Sequence, residues 1–155
     1  MLKNIRKSIL LKTIAIVGLS VLFSAQAYAH CQIPCGIFND HARIQTMLED
    51  VTTIEKSTNL IVSLAGKSDA QSQNQLVRWV MNKEEHAQNI IEVSADYFLA
   101  QRLKPSQEGY TDLLVKHHAV IIAAMKAKQN TDKEHISALL KSIEALAPHY
   151  PEHKH

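Results

Sequence analysis

Between Asn39 and Pro148 the apolar residues recur every three to four positions in four runs, and each run is closed by residues that do not continue a helix. Asn39 or Asp40 can cap the first run, which sets Ile44, Met47, Leu48, Val51, Ile54, Ile61 and Leu64 near one face before Gly66 stops it. Ser68 or Asp69 can cap the second, whose apolar positions Leu76, Val80, Ile90, Ile91, Tyr97 and Phe98 run on to the break at Lys104-Pro105. Its middle, Asn82 to Asn89, is polar and weakens the stripe. The third spans Tyr110 to Lys128 with Leu113, Leu114, Val120, Ile121, Ala124 and Met125, and Asn130-Thr131-Asp132 marks the next turn and cap. The fourth carries Ile136, Leu139, Leu140, Ile143 and Leu146 and ends at Pro148. No alternating strand pattern competes, so the spacing predicts an all-α fold, with residues 39–148 as an antiparallel four-helix bundle and residues 149–155 as a flexible tail containing histidine.

The segment before the bundle reads differently. Lys3, Arg6, Lys7 and Lys12 precede a short apolar run from Thr13 to Phe23, and Ala27-Tyr28-Ala29 supplies the small residues that signal peptidase recognises. The run is shorter than the roughly 20 apolar residues of a membrane span. Residues 1–29 are therefore expected to be a cleaved signal peptide, the mature chain to be periplasmic or extracellular, and no membrane association to remain after cleavage. All four basic residues of the leader leave with it, turning the +2 of the whole chain into a slightly acidic mature protein. That balance gives no argument for nucleic acid as a partner.

Cleavage after Ala29 makes His30-Cys31 the mature terminus, with Cys35 the only other cysteine of the chain. Residues 30–38 thereby form a hook. It offers a free α-amine, an imidazole, the Cys31 amide nitrogen and two thiolates within six residues, a donor set sufficient for one transition metal. Thiolates and a deprotonated amide donate charge strongly, which lowers the potential of a higher oxidation state and brings trivalent nickel within reach. Pro34 and Gly36 on either side of Cys35 suit a tight loop. A Cys31–Cys35 disulfide is the competing structural reading for an exported chain, although so small a loop at a terminus adds little stability. The bundle itself lacks a glycine-rich phosphate loop, a zinc-protease histidine pair and the twice-repeated Glu-x-x-His of di-iron bundles.

The run His30-Cys31-x-x-Pro34-Cys35-Gly36 at a processing site, followed by Ala42-Arg43-Ile44, resembles the nickel hook of nickel superoxide dismutases; Asp96-Tyr97-Phe98 and His117-His118 extend the likeness along the chain. The resemblance implies a four-helix bundle, a homohexamer, superoxide as substrate and a processed N-terminus as active site. It implies that the His30 amine, the Cys31 amide and the Cys31 and Cys35 thiolates hold nickel in a plane, with the His30 imidazole axial in the oxidised state. One superoxide then leaves as dioxygen and the next, with two protons, as hydrogen peroxide. It also places Tyr97 near the hook. Successive helix residues such as His117 and His118 point to different sides, so at least one of them is expected to be solvated or at a boundary.

The chain departs from that family at the residues around the ligands. Gln32 stands where the family has Asp, Phe38 where it has Tyr, Gln45 where it has an acidic residue, and His86 where an arginine is expected. Phe38 retains a ring able to gate access but no hydroxyl. Gln45 can orient the His30 ring by a hydrogen bond, and His86 supplies a positive charge only when protonated. Three readings follow: a nickel-dependent dismutase, a copper-dependent dismutase using the same hook, and a non-enzymatic periplasmic nickel- or copper-binding protein.

Overall fold

The computed structural model describes residues 37–152; the leader 1–29 and His30, Cys31, Gln32 and Cys35 of the hook lie outside them, as do His153 and His155 of the tail. Helix α1 is Asp40–Leu64, α2 is Ala70–Glu92, α3 is Tyr110–Gln129 and α4 is Lys133–Glu144; a π-helical segment, Val93–Arg102, continues α2, and a 3₁₀ turn, Ala147–His149, follows α4. The described residues contain no strand. The caps expected for α1 and α2 are in place, whereas Asp132 takes the cap position of α4 without a capping side-chain hydrogen bond. Asn39 Oδ1 accepts from the Ala42 amide at 3.0 Å, and Asp69 Oδ1 accepts from the Ser72 amide at 2.9 Å. Past α1, Gly66 takes φ +81°, a left-handed conformation that a β-carbon disfavours.

Cross-helix bonds fix the directions. Along α1 and α2 the partners run Ser57 with Asn82, Asp50 with His86 and Asn89, and Asp40 with Tyr97 and Arg102, falling in one helix as they rise in the other. The two helices are antiparallel. Helix α3 returns against α2, with Lys83 bonded to its C-terminal end and Phe98 packed on His117, while α4 closes the bundle against both α1 and α3. This is the predicted four-helix bundle.

The polar middle of α2 is where these helices are tied together. Asn82 accepts from Ser57 at 2.7 Å, and buried Asp50 takes one hydrogen bond of 2.6 Å from His86 Nδ1 and another from Asn89 Nδ2. Lys83 is 4% exposed and its Nζ donates to the carbonyls of Ala127, Lys128 and Asn130 at 2.9, 2.6 and 2.9 Å. These are the orphan carbonyls of a helix end, where the macrodipole also favours a cation. Burial lowers the Lys83 pKa from its usual value, while neighbouring Glu84 acts in the opposite sense.

The core contains most of the expected residues, among them Ile44, Met47, Ile54, Ile90, Tyr97, Phe98, Val120, Leu139, Ile143 and Leu146. Val80, Leu114, Met125 and Leu140 were expected there too and are instead exposed. Lys83 bonds to Asn130 marks the level at which α3 ends, so Val80 lies on the part of α2 beyond it. On α3 the buried stripe is Leu113, His117, Val120, Ala124 and Ala127, which turns Leu114 and Met125 to the rim; in α4 the stripe through Ile136, Leu139 and Ile143 does the same to Leu140. Nor is the whole tail peripheral. Tyr150 is buried against Phe98, ring centroids 4.6 Å apart, and its carbonyl accepts from His41 Nδ1 at 3.2 Å.

Candidate metal centre

The structure brings Phe38, the last hook residue, onto the bundle at the start of α1. Its ring meets Tyr97 edge-on at 6.0 Å and lies 4.4 Å beneath the Arg102 guanidinium. Asp40, the first residue of α1, joins both partners: Oδ1 accepts from the Tyr97 hydroxyl and Arg102 Nε, and Oδ2 from an Arg102 terminal nitrogen, all at 2.7 Å. Arg43 covers the Tyr97 ring at 5.2 Å. The hydroxyl of Tyr97 is committed as a donor, since burial first and the bond to Asp40 second push its pKa up to about 12. The expected place of Tyr97 beside the hook thus has a local counterpart in its contact with Phe38.

The π-helical turn makes this constellation reachable. Tyr97 and Arg102 are five residues apart, which in an α-helix would leave them about 140° apart around the axis. A π-helix closes its hydrogen bonds between residues five apart, as the Leu103 amide does with the Phe98 carbonyl at 2.9 Å, so both side chains return to one side and meet one carboxylate.

Next to Phe38 is a recess of about 570 Å³ lined by Asn39, His41, Ala42, Gln45, Thr46, Glu49 and Glu152. Phe38 and Gln45 therefore share one surface. His86 does not: it lines a second recess with Asp50, Glu85, Gln88, Asn89 and Glu92, its Nδ1–H donated to Asp50. Of the adjacent histidines, His118 is exposed, whereas His117 is wholly buried with Nε2 2.9 Å from the Tyr150 hydroxyl. Burial, reinforced by the charge of His149, holds the His117 pKa down at about 4, so it is neutral at physiological pH. Sequence reasoning missed Asp40, His41, Arg102 and Tyr150. Asp40 could have been found only as a capping residue, and nothing in the local pattern signals Arg102 or Tyr150.

Among the described residues no group of three or more His, Cys, Asp and Glu side chains is placed to hold a metal ion, and no helix is long and apolar enough to cross a membrane. The thiol donors of the chain are the two cysteines that precede the seat of Phe38 by three and seven residues. The fold and this arrangement define a class: a helical bundle whose first helix is preceded by an anchored Phe38 and, earlier in the sequence, by two cysteines. The chain belongs to the nickel-containing superoxide dismutase family, whose model matches residues 25–154. No curated protein and no solved structure gives a match. The protein is accordingly an oxidoreductase that disproportionates superoxide, and nickel is the metal of its family.

Proposed function

We propose that the protein is exported, cut after Ala29, and dismutes superoxide at nickel bound by the new terminus, with His30, Cys31 and Cys35 as ligands. The observation that supports this reading is the family match over residues 25–154, a span that takes in Ala27-Tyr28-Ala29 and the run from His30 to Cys35. The donor set fits: two thiolates, an amine and an amide are soft, strongly donating ligands for nickel. Nickel held there supplies a one-electron couple through which one superoxide is oxidised to dioxygen and another is reduced to the peroxide level. The periplasm or extracellular space is the compartment that the leader supports, and the homohexamer follows from the family resemblance.

The chain's own residues supply the surroundings. Phe38 contributes an apolar wall with its ring fixed by Tyr97 and Arg102, and has no hydroxyl to order an anion. Gln45, on the same recess, is available to hold the His30 ring by a neutral hydrogen bond. His41 also lines the recess, with its Nδ1–H given to the Tyr150 carbonyl. The Tyr97 proton is held toward Asp40. In this reading Gln32 is a neutral neighbour of Cys31, and His86 is committed to Asp50 by a 2.6 Å hydrogen bond.

The test compares the chain beginning at His30 with one retaining Ala29, each reconstituted with nickel or with copper, and uses Cys31→Ser and Cys35→Ser as blanks. Fast superoxide loss is expected only for the His30 form with nickel, at one metal per chain and with unchanged helical content in the blanks. Equal activity of the form retaining Ala29 would exclude the α-amine as ligand. Activity with copper alone would replace the metal, and tight nickel uptake without turnover would favour the carrier reading.

A further inference from the structure

The segment that would bear the metal ligands joins the bundle through Phe38, and what secures that junction is an ion pair far apart in sequence. We propose that Asp40 and Arg102 are positioning residues for the hook: together they clamp the Phe38 ring and so fix where the ligand-bearing segment leaves the bundle. The proposal rests on the reading of residues 30–38 as the metal-binding segment.

The geometry has three parts. First, Asp40 and Arg102 make a bidentate pair with two bonds of 2.7 Å, the form of carboxylate–guanidinium contact that sets orientation as well as distance. The Asp40 side chain is 11% exposed and that of Arg102 is 32% exposed, so solvent screens the pair only in part. Second, the guanidinium so oriented lies 4.4 Å over the Phe38 ring, while Tyr97, held by the same carboxylate, meets that ring from the side. Third, the helix start just beyond is pinned by Asn39, whose side chain accepts from the Ala42 amide and whose carbonyl accepts from the Arg43 amide at 3.3 Å. The chain is thus held at Phe38 and again at the first turn of α1.

Only Gly36 and Ile37 separate Phe38 from Cys35. Three residues of extended chain reach about 10 Å, so a free pivot at Phe38 would sweep the Cys35 sulfur over a distance comparable to the width of a helix. The donors lie close enough in sequence to gather a metal without the clamp. What the clamp governs is the direction in which the chain departs from Phe38, which itself lines the recess of Gln45 and His41. The departure at residue 38 fits this division of labour, because a Phe ring needs no hydroxyl partner to be gripped by a cation and an aromatic edge.

The experiment uses the full mature chain with Arg102→Leu and Arg102→Lys. In the metal-free state, amide exchange of Ala42 and Arg43 reports the junction without any contribution from nickel; in the nickel-loaded state, transfer of the metal to excess chelator gives its release rate. Loss of the stacking cation and its bidentate pair is expected to speed exchange at both amides about tenfold and nickel release about fivefold in the Leu variant. Lys keeps the charge but not the fork, and its values should fall between those of Leu and wild type. Faster exchange with an unchanged release rate would overturn the clamp as a positioning device, as would unchanged exchange. Failure of the wild-type chain to take up nickel would instead overturn the hook reading on which the proposal rests.

Discussion

Acid should weaken this bundle through one buried imidazole. His117 is 0% exposed, stacks at 4.7 Å on Phe98 and has Nε2 against the Tyr150 hydroxyl, while Nδ1 has no hydrogen-bond partner among the described residues. Its pKa is about 4 in the folded protein against 6.5 for the free side chain. The unfolded chain therefore binds a proton more readily than the folded one, and stability that is complete above pH 6.5 is lost as the pH falls toward 4. At about 1.36 kcal/mol per unit the full gap is about 3.4 kcal/mol, of which about 2.5 kcal/mol is gone by pH 4.5. Urea denaturation at pH 7.5 and 4.5, at one protein concentration, measures it. Cys31→Ser keeps metal binding, itself pH-dependent, out of the comparison. Adding His117→Gln should shrink the loss between the two pH values by about 2.5 kcal/mol. Equal losses with and without His117 would refute the buried, neutral imidazole.

Replacing Lys83 by Met should cost about 2–3 kcal/mol, because three helix-end carbonyls lose a cationic donor and the macrodipole loses its counter-charge. Thermal unfolding should show a fall in Tm of roughly 10 °C. Asp50→Asn should destabilise by about 1–3 kcal/mol, since its carboxylate takes bonds from both His86 and Asn89. A double-mutant cycle with His86→Gln should return a coupling of about 1 kcal/mol or more, and additivity of the two substitutions would argue against the contact.

Much of the fold was legible because its signals are local. Asn39 and Asp69 are the caps their residue types suggest, Gly66 adopts the left-handed turn after α1, and the stripe residues Ile44, Met47, Ile90, Val120 and Leu139 are buried. The exposed Val80, Leu114, Met125 and Leu140 mark the limit of that reasoning: periodicity names a face, but its edges depend on where neighbouring helices end and on how the buried stripe is turned toward them. The polar run from Asn82 to Asn89 looked like a weakness in α2 and is a set of inter-helix bonds, legible only once Ser57, Asp50 and the end of α3 are beside it. The surroundings of the candidate site were harder still. Phe38 and Gln45 were identified by resemblance and do share a recess, whereas His86 turns to Asp50. The Asp40–Arg102 pair spans 62 positions and depends on a π-helical phase that no α-helical pattern encodes.

The bond between His41 and the Tyr150 carbonyl joins positions 109 residues apart. Its two halves lie on the start of α1 and beyond α4, so the bond can close only when both flanks of the bundle are in place. A product truncated before Tyr150 would lack that bond, the hydroxyl beside His117 and the ring stacked on Phe98 in a single loss. The recess beside Phe38, which Glu152 also lines, is therefore incomplete until the chain has folded back from α4 onto the start of α1.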